Sequence, residues 1–123
     1  MDFRKQKPIY LQIADWLMEQ VLGGQLKTDD RVPSVRDVAT RMGVNPNTVV
    51  RSFDQLQQDE IIYQRRGQGY FVEAEAKERI IGLWRRQFID EELPALRQRM
   101  QLLGLTFDEL KDMTAPNQTN EKQ

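Results

Sequence analysis

Arg31-Val-Pro-Ser-Val-Arg-Asp-Val-Ala-Thr-Arg-Met-Gly-Val-Asn-Pro-Asn-Thr-Val-Val-Arg51 carries two helix start signals separated by one turn. Ser34 follows Pro33 and can cap a helix, with Asp37 three residues on as an Asp variant of the capping box. Val35, Val38, Ala39 and Met42 give that helix its apolar face, and Gly43 terminates it. Asn45 caps again, and Pro46 sits at the first helical position, where its missing N–H costs nothing. The helix that follows is expected to run to about Gln58, with Val49, Phe53 and Leu56 as its buried stripe. Asn47, Thr48, Arg51 and Gln55 fall mostly on the other side and at the N-terminal end. The stretch reads as two short helices around a tight turn.

The flanking segments complete the arrangement. Before it, Pro8 opens a helix whose apolar residues Tyr10, Ile13, Ala14, Leu17 and Val21 recur at helical spacing, and Gly23-Gly24 stops it. Leu26 to Val32 reads as a short connector with one or two strand residues near Val32. After it, Ile61-Ile-Tyr63 and Tyr70-Phe-Val72 are β-favouring runs around Arg65-Arg-Gly-Gln-Gly69, a turn with two glycines. Such a hairpin is too short to stand alone but adequate when packed on helices. The expected fold is mainly α with a small β-hairpin: an N-terminal winged helix-turn-helix, the hairpin being the wing, followed by a helical tail. In this architecture the second helix of the pair reads DNA, and its N-terminal end must carry polar hydrogen-bonding residues, as Asn47 and Thr48 do here.

Charge taken over the whole chain points the other way. Lys and Arg number 18 against 19 Asp and Glu, a net charge of -1 with a pI of about 5.5. Averages mislead when charge is localised. Residues 31–72 hold six arginines (Arg31, Arg36, Arg41, Arg51, Arg65, Arg66) and four acids (Asp37, Asp54, Asp59, Glu60), which is net +2. All six cations are arginine, the side chain suited to phosphates and guanine edges. The chain has neither cysteine nor histidine. Disulfides are excluded, a zinc or redox site is not expected, and the commonest general base and strong nucleophile are missing. No nucleophile–base set, phosphate-cradling loop or metal cluster is visible; Glu91-Glu92 and Asp29-Asp30 read as solvated charges. The expectation is a non-enzyme with no cofactor. With no apolar run after the N-terminal charges and no segment of the ~18 apolar residues a membrane span needs, a cytoplasmic protein without membrane contact is expected.

From Ala74 a second unit is expected. Ile80, Ile81, Trp84, Phe88, Leu93, Leu96, Met100 and Leu103 keep roughly helical spacing past Pro94, as one kinked helix or as two helices with Pro94 in the first turn of the second. Leu103-Gly-Leu105 closes it, and Thr106-Phe-Asp-Glu109 is a capping box opening a last helix to about Met113. The expected division is 1–73 for DNA binding, 74–113 for a helical dimerisation or regulatory tail, and 114–123 disordered. Two helices cannot bury that many large apolar side chains between themselves, so Ile81, Trp84, Phe88, Leu96, Met100 and Leu103 are expected at a two-fold interface; Trp84, Phe88 and Ile81 could instead cover the winged helix.

Pro33-Ser-Val-Arg36-Asp, Gly43-Val-Asn-Pro-Asn-Thr-Val49, Arg65-Arg-Gly-Gln-Gly-Tyr-Phe-Val72 and the Tyr10-Leu-Gln-Ile-Ala-Asp15 segment resemble the winged-helix domain of the GntR family of bacterial transcription regulators, over residues 8 to 72 or so. Most of that family carries a large effector domain, whereas about fifty residues remain here. The Asn45-Pro-Asn-Thr48 pattern and the Leu103-Gly-Leu-Thr-Phe-Asp-Glu-Leu110 ending resemble the YtrA subfamily. That resemblance implies a short dimerisation tail and repression of a transporter operon, often together with the regulator's own gene. The chain departs from the family at Asp29 and Glu60, where glycine is usual, and at Tyr70, where a small Thr or Ser is usual.

The resemblance and the helix ends together assign roles. Ser34 and the first-turn N–H groups of its helix should meet a phosphate at the positive helix end. Arg36 reaches the major groove or a phosphate, or else pairs with an acid on its own helix. Asn47 and Thr48 are the candidates for base edges, Asn45 and Pro46 belong to the same DNA-binding set with Pro46 giving a rigid entry and apolar contact, and Arg51 grips a phosphate or a guanine. Arg66, Gly67, Gln68 and Gly69 form a wing tip that can approach the minor groove, or a hairpin that simply needs glycine. Two or three base contacts per subunit are too few for a tight monomer, which argues for a homodimer on double-stranded DNA with a palindromic operator. Two other classes remain: a winged helix used as a protein-interaction module, favoured by the acidic pI, and an architectural DNA binder with little base readout. No small-molecule effector is specified; one could sit near Trp84, Arg85 and Arg86.

Overall fold

The structure, a computed structural model, describes residues 7–116. Helix α1 (Ile9–Leu22) begins after Pro8 and ends at Gly23, with Gly24 left-handed at φ 86°. Helix α2 (Val35–Met42) starts where the sequence places it: Ser34 Oγ accepts a hydrogen bond from the Asp37 N–H at 3.0 Å. It ends at Gly43, whose φ of 68° is the left-handed geometry that closes a helix. Helix α3 (Pro46–Gln58) is capped by Asn45, whose Oδ1 accepts from the Asn47 N–H at 2.7 Å. Strands β1 (Ile62–Arg65) and β2 (Gly69–Val72) pair antiparallel in the register Ile62↔Val72 to Arg65↔Gly69. Arg66, Gly67 and Gln68 form the loop, and the Gln68 N–H closes the turn on the Arg65 carbonyl at 2.8 Å.

The connector is more than a link. The Asp29 and Val32 N–H groups donate to the Val72 and Tyr70 carbonyls, and the Val72 N–H donates to Asp30, so residues 29–32 run along the free edge of β2. The wing therefore has both edges of its second strand satisfied, which a lone hairpin would not.

The described residues form two compact units, 7–85 and 86–116. In the first, Phe53, Leu56, Ile61, Val38, Val49 and Val72 are almost wholly buried in one core with Ile13, Ala14 and Leu17 of α1. Helix α4 (Ala76–Gln87) contributes to the same core through Ala76 and Ile80. The expected boundary at residue 73 thus falls inside this unit, because the first turns of α4 bury their apolar face on the winged helix. Tyr70, the bulky departure in the wing, is half-buried and sets its ring edge-on to Phe53 at 4.8 Å, so the extra volume is used as packing.

The other two departures lie in left-handed backbone. Asp29 has φ 65° and Glu60 has φ 60°. Asp29 is compensated: Tyr63 Oη donates to its Oδ1 at 2.6 Å, a bond that also holds the Tyr63 phenol above its ordinary pKa. Glu60 gains less, since its carboxylate lies 3.9 Å from Arg79 in an exposed pair, while the stronger Arg79 contact goes to its backbone carbonyl at 2.8 Å.

In the second unit, one wide π turn (Phe88–Glu92) carries the helical path on from Gln87, and α5 (Leu93–Leu103) follows with Pro94 in its first turn. A π turn lets the chain pass the proline without a break, since the proline meets carbonyls already displaced from α-helical register. Gly104, at φ 69°, closes α5, and Thr106 with Glu109 forms both halves of a capping box opening α6 (Phe107–Thr114). Of the segment expected to be disordered, residue 114 ends α6, and 117–123 lie outside the described residues.

Candidate nucleic-acid interface

Helix α3 divides its residues sharply. Val49, Ser52, Phe53 and Leu56 are 0–1% exposed and bind the helix to the core. Asn45, Pro46, Asn47 and Arg51 are exposed, and Thr48 is half-buried with its N–H on the Asn45 carbonyl at 2.9 Å. The N-terminal turn thus presents side-chain amides outward from a backbone fixed by the Asn45 cap and the ring of Pro46. Such a rigid, outward polar end can enter a major groove.

Arg51 has a partner that its sequence context does not suggest. Its guanidinium lies over the Tyr10 ring of α1, 4.0 Å from the centroid. Tyr10 is itself held to α3, because the buried Ser52 hydroxyl donates to the Tyr10 carbonyl at 2.6 Å, with the Thr48 carbonyl a longer partner at 3.2 Å. Arg41 of α2 has a similar but looser arrangement, 5.7 Å over Trp16. Arg36 is exposed and makes no ion pair with a described residue, so the pairing with an acid of its own helix does not form.

Ser34 caps α2 at the edge of a recess of about 480 Å³ lined by Arg31, Val32, Pro33, Asp37 and Arg41. Arg31 also reaches the wing. A Cβ placed on Gly69, which has φ 116°, would come within 3.2 Å of the Arg31 Nε. Gly69 is therefore required for its backbone conformation, and the Arg31 side chain lies close against it. Arg31 links the start of α2 to the base of the wing, a position that its sequence context does not indicate. The link comes from pairing between residues about forty apart in the chain, which no local pattern displays.

The two wing arginines differ. Arg65 lies over Phe71 (4.8 Å) and Tyr63 (5.7 Å), rings that stack on each other across the hairpin. Arg66, Gly67 and Gln68 occupy the exposed tip, and Gly67 is left-handed at φ 76°. The tip is thus narrow, with one free cation and one amide, and the cation before it stiffens the strand pair.

The residues expected at a dimer interface do not share one environment. Ile81, Phe88 and Leu103 are 42%, 46% and 66% exposed, and Leu96 is half-buried. Trp84 packs against the core of the first unit, and Met100 is buried, so much of their apolar surface is already covered within the chain. Ile89, Leu102, Phe107 and Met113, which lie outside the expected interface set, are all more than half exposed.

A winged helix-turn-helix with an open, polar recognition-helix start defines a DNA-binding regulator. Comparison with known proteins agrees. Residues 9–72 match the family described as bacterial regulatory proteins, gntR family. The chain is 37% identical over 108 residues to the HTH-type transcriptional regulator YhcF of Bacillus subtilis, covering 88% of each. It is 33% identical over 112 residues to the HTH-type transcriptional repressor YtrA of the same organism, covering 91% of this chain and 85% of that one. Among solved structures, a GntR family transcriptional regulator from Listeria monocytogenes superimposes with a TM-score of 0.73 at 30% identity, over 92% of this chain and 96% of the other. The chain belongs to the GntR family and is a helix-turn-helix transcriptional regulator, not an enzyme; the match to YtrA along most of its length fits the YtrA-like subfamily. Among the described residues, no helix is long and apolar enough to cross a membrane.

Proposed function

We propose that this regulator acts as a homodimeric repressor on a palindromic operator. Residues up to 73 form the reading head, and the pairing tail is 74–113, whose first turns also pack on that head. In each copy Asn47, Thr48, Arg36 and Arg51 contact the major groove, Ser34 meets a phosphate at the start of α2, and Arg66, Gly67, Gln68 and Gly69 approach the minor groove. The observation that carries this reading is the two-sided α3, anchored at 0–1% exposure on one face and open at Asn47 and Arg51 on the other. The exposed apolar side chains of the tail support pairing with a second copy. Repression fits the function named for YtrA. The regulated genes are proposed to be a membrane-transporter operon together with the regulator's own gene.

Selection of bound duplexes from random sequence tests the whole reading. The expected product is an inverted repeat with half-site centres about 10 bp apart, or a multiple of that, matching a two-fold protein. A single non-repeated site, or diffuse binding with no consensus, would overturn it. On the selected operator, Arg51→Ala is expected to weaken binding at least about tenfold, in line with the loss of one good contact, while light scattering still shows a dimer. A wild-type monomer at micromolar concentration sinks the dimeric reading.

A further inference from the structure

We propose that Tyr10, on the first helix and outside the groove-facing set, is a positioning residue that holds the Arg51 guanidinium ready for contact with the operator. The proposal rests on the reading of Arg51 as a DNA-contacting residue. It starts from the 4.0 Å separation between Arg51 Cζ and the Tyr10 ring centroid. That is well inside the distance at which a cation is attracted to an aromatic face. The backbone that carries the ring is tied to α3 by the residue after Arg51. Ser52 is fully buried and donates to the Tyr10 carbonyl at 2.6 Å. The Tyr10 backbone and the Arg51 guanidinium are thus brought together through adjacent residues of α3.

The type of hold matters. An arginine held by a carboxylate would have its charge neutralised and its N–H donors occupied. An arginine resting on a ring uses only the face of its guanidinium plane, and its donors point outward around the edge. The charge and the hydrogen-bonding fork stay available to a phosphate or a guanine, while the side chain is already restricted to one region of space. Arg51 makes no ion pair with a described residue, so nothing must be released before it binds. Arg41 over Trp16, at 5.7 Å, repeats the device more loosely six residues along α1. Helix α1 therefore serves as an aromatic rest for arginines of the two helices that follow it.

The Ser52 bond goes to the backbone of Tyr10, so replacing the side chain leaves that tie in place. The experiment measures operator affinity of the full chain as Tyr10→Phe, Tyr10→Leu, Arg51→Ala and the double variant Tyr10→Leu/Arg51→Ala. Stoichiometric titration fixes the active fraction, so that partial unfolding does not imitate a loss of affinity. Tyr10→Phe keeps the aromatic face and should bind within about twofold of the wild type. Tyr10→Leu keeps the apolar bulk but loses the face and should bind about fivefold more weakly. In the double variant the Tyr10 change should add nothing to the loss caused by Arg51→Ala. Additive losses overturn the proposal, as do a Tyr10→Leu protein of wild-type affinity and a Tyr10→Phe protein as weak as Tyr10→Leu. If Arg51→Ala alone binds normally, the DNA-contact reading of Arg51 fails and the positioning role falls with it. That outcome appears in a variant with Tyr10 intact, so the two failures are told apart.

Discussion

In residues 7–85, Phe53, Leu56, Ile61 and Ile80 are at most 1% exposed, and α1, α2, α3, the wing and the start of α4 contribute to a single core. In residues 86–116, Phe88, Ile89, Leu102, Leu103, Phe107 and Met113 are between 46% and 77% exposed, and Met100 is buried. Yet the second region is no less well specified locally. Its π turn, the left-handed Gly104 and the complete Thr106–Glu109 capping box are as definite as the caps of α2 and α3. Local signals make helices in both regions, but only the first gathers its apolar side chains into an extended shared core. A helix owes most of its stability to tertiary packing rather than to its caps. The tail leaves aromatic and aliphatic side chains exposed, and under the proposed dimer a second copy would cover them.

Substitution in each region should separate these two modes. The largest effect is expected at Phe53, fully buried and touching Tyr70 of the wing. Phe53→Ala should cost about 3–5 kcal/mol of folding stability in denaturant unfolding, because it removes the transfer free energy of the ring and leaves a cavity. A loss below about 1 kcal/mol would mean that the first unit is not held by this core. Next comes Leu103, 66% exposed. Leu103→Glu should leave folding of the single chain nearly unchanged but weaken self-association by about 2 kcal/mol, roughly thirtyfold, as measured by sedimentation equilibrium. Unaltered association would remove Leu103 from the covered surface and narrow the comparison to Phe88, Ile89 and Phe107. The smallest effect is a gain. Glu60→Gly should raise the stability of the first unit by about 0.5–1 kcal/mol, because glycine accepts φ 60° without strain and the exposed pair with Arg79 contributes little. Asp29→Gly should not match that gain, since it would delete the hydrogen bond from Tyr63. A larger gain at Asp29 than at Glu60 would show that the side-chain bond does not offset the backbone cost.

Most of the first unit was legible in the chain because its signals are local. The Ser34 and Asn45 caps, Pro46 and Gly43 fix the ends of α2 and α3 within a few residues of one another, and the structure places them as read. The wing was legible from two short β-favouring runs around glycines, although its strands begin at Ile62 and Gly69 rather than at Ile61 and Tyr70. The left-handed backbone at Asp29 and Glu60 could be anticipated from the family resemblance, because glycine is usual there. Pro94 had two readings, a kink or a new first turn. The continuous helical path through a π turn combines them, since Pro94 does lie in the first turn of α5.

The site was less fully legible, and the reason is physical. Asn47, Thr48, Arg51 and the wing tip could be singled out because helix periodicity and turn chemistry place them on an open face. Tyr10 sat in the apolar stripe of α1, and nothing in its spacing distinguishes a ring that packs in the core from one that carries an arginine. Arg31, too, was one cation among six until the connector paired with β2 and brought it to Gly69. Trp84 and Phe88 lay on one helical stripe, yet Trp84 packs on the first core and Phe88 remains exposed.

The sequence by itself determined where each helix of the reading head starts and stops, which of its faces is apolar, that a hairpin follows, and that arginines and amides gather at the second helix's open end. These follow from short-range physics: capping hydrogen bonds, backbone conformation at glycine and proline, and the period of the helix. Tertiary structure alone decided which arginine rests on which ring, that the connector completes the wing, that α4 begins inside the first core, and which apolar side chains of the tail stay uncovered. Those outcomes depend on contacts between residues far apart in the chain, and such contacts exist only once packing has chosen among the faces that the sequence offers.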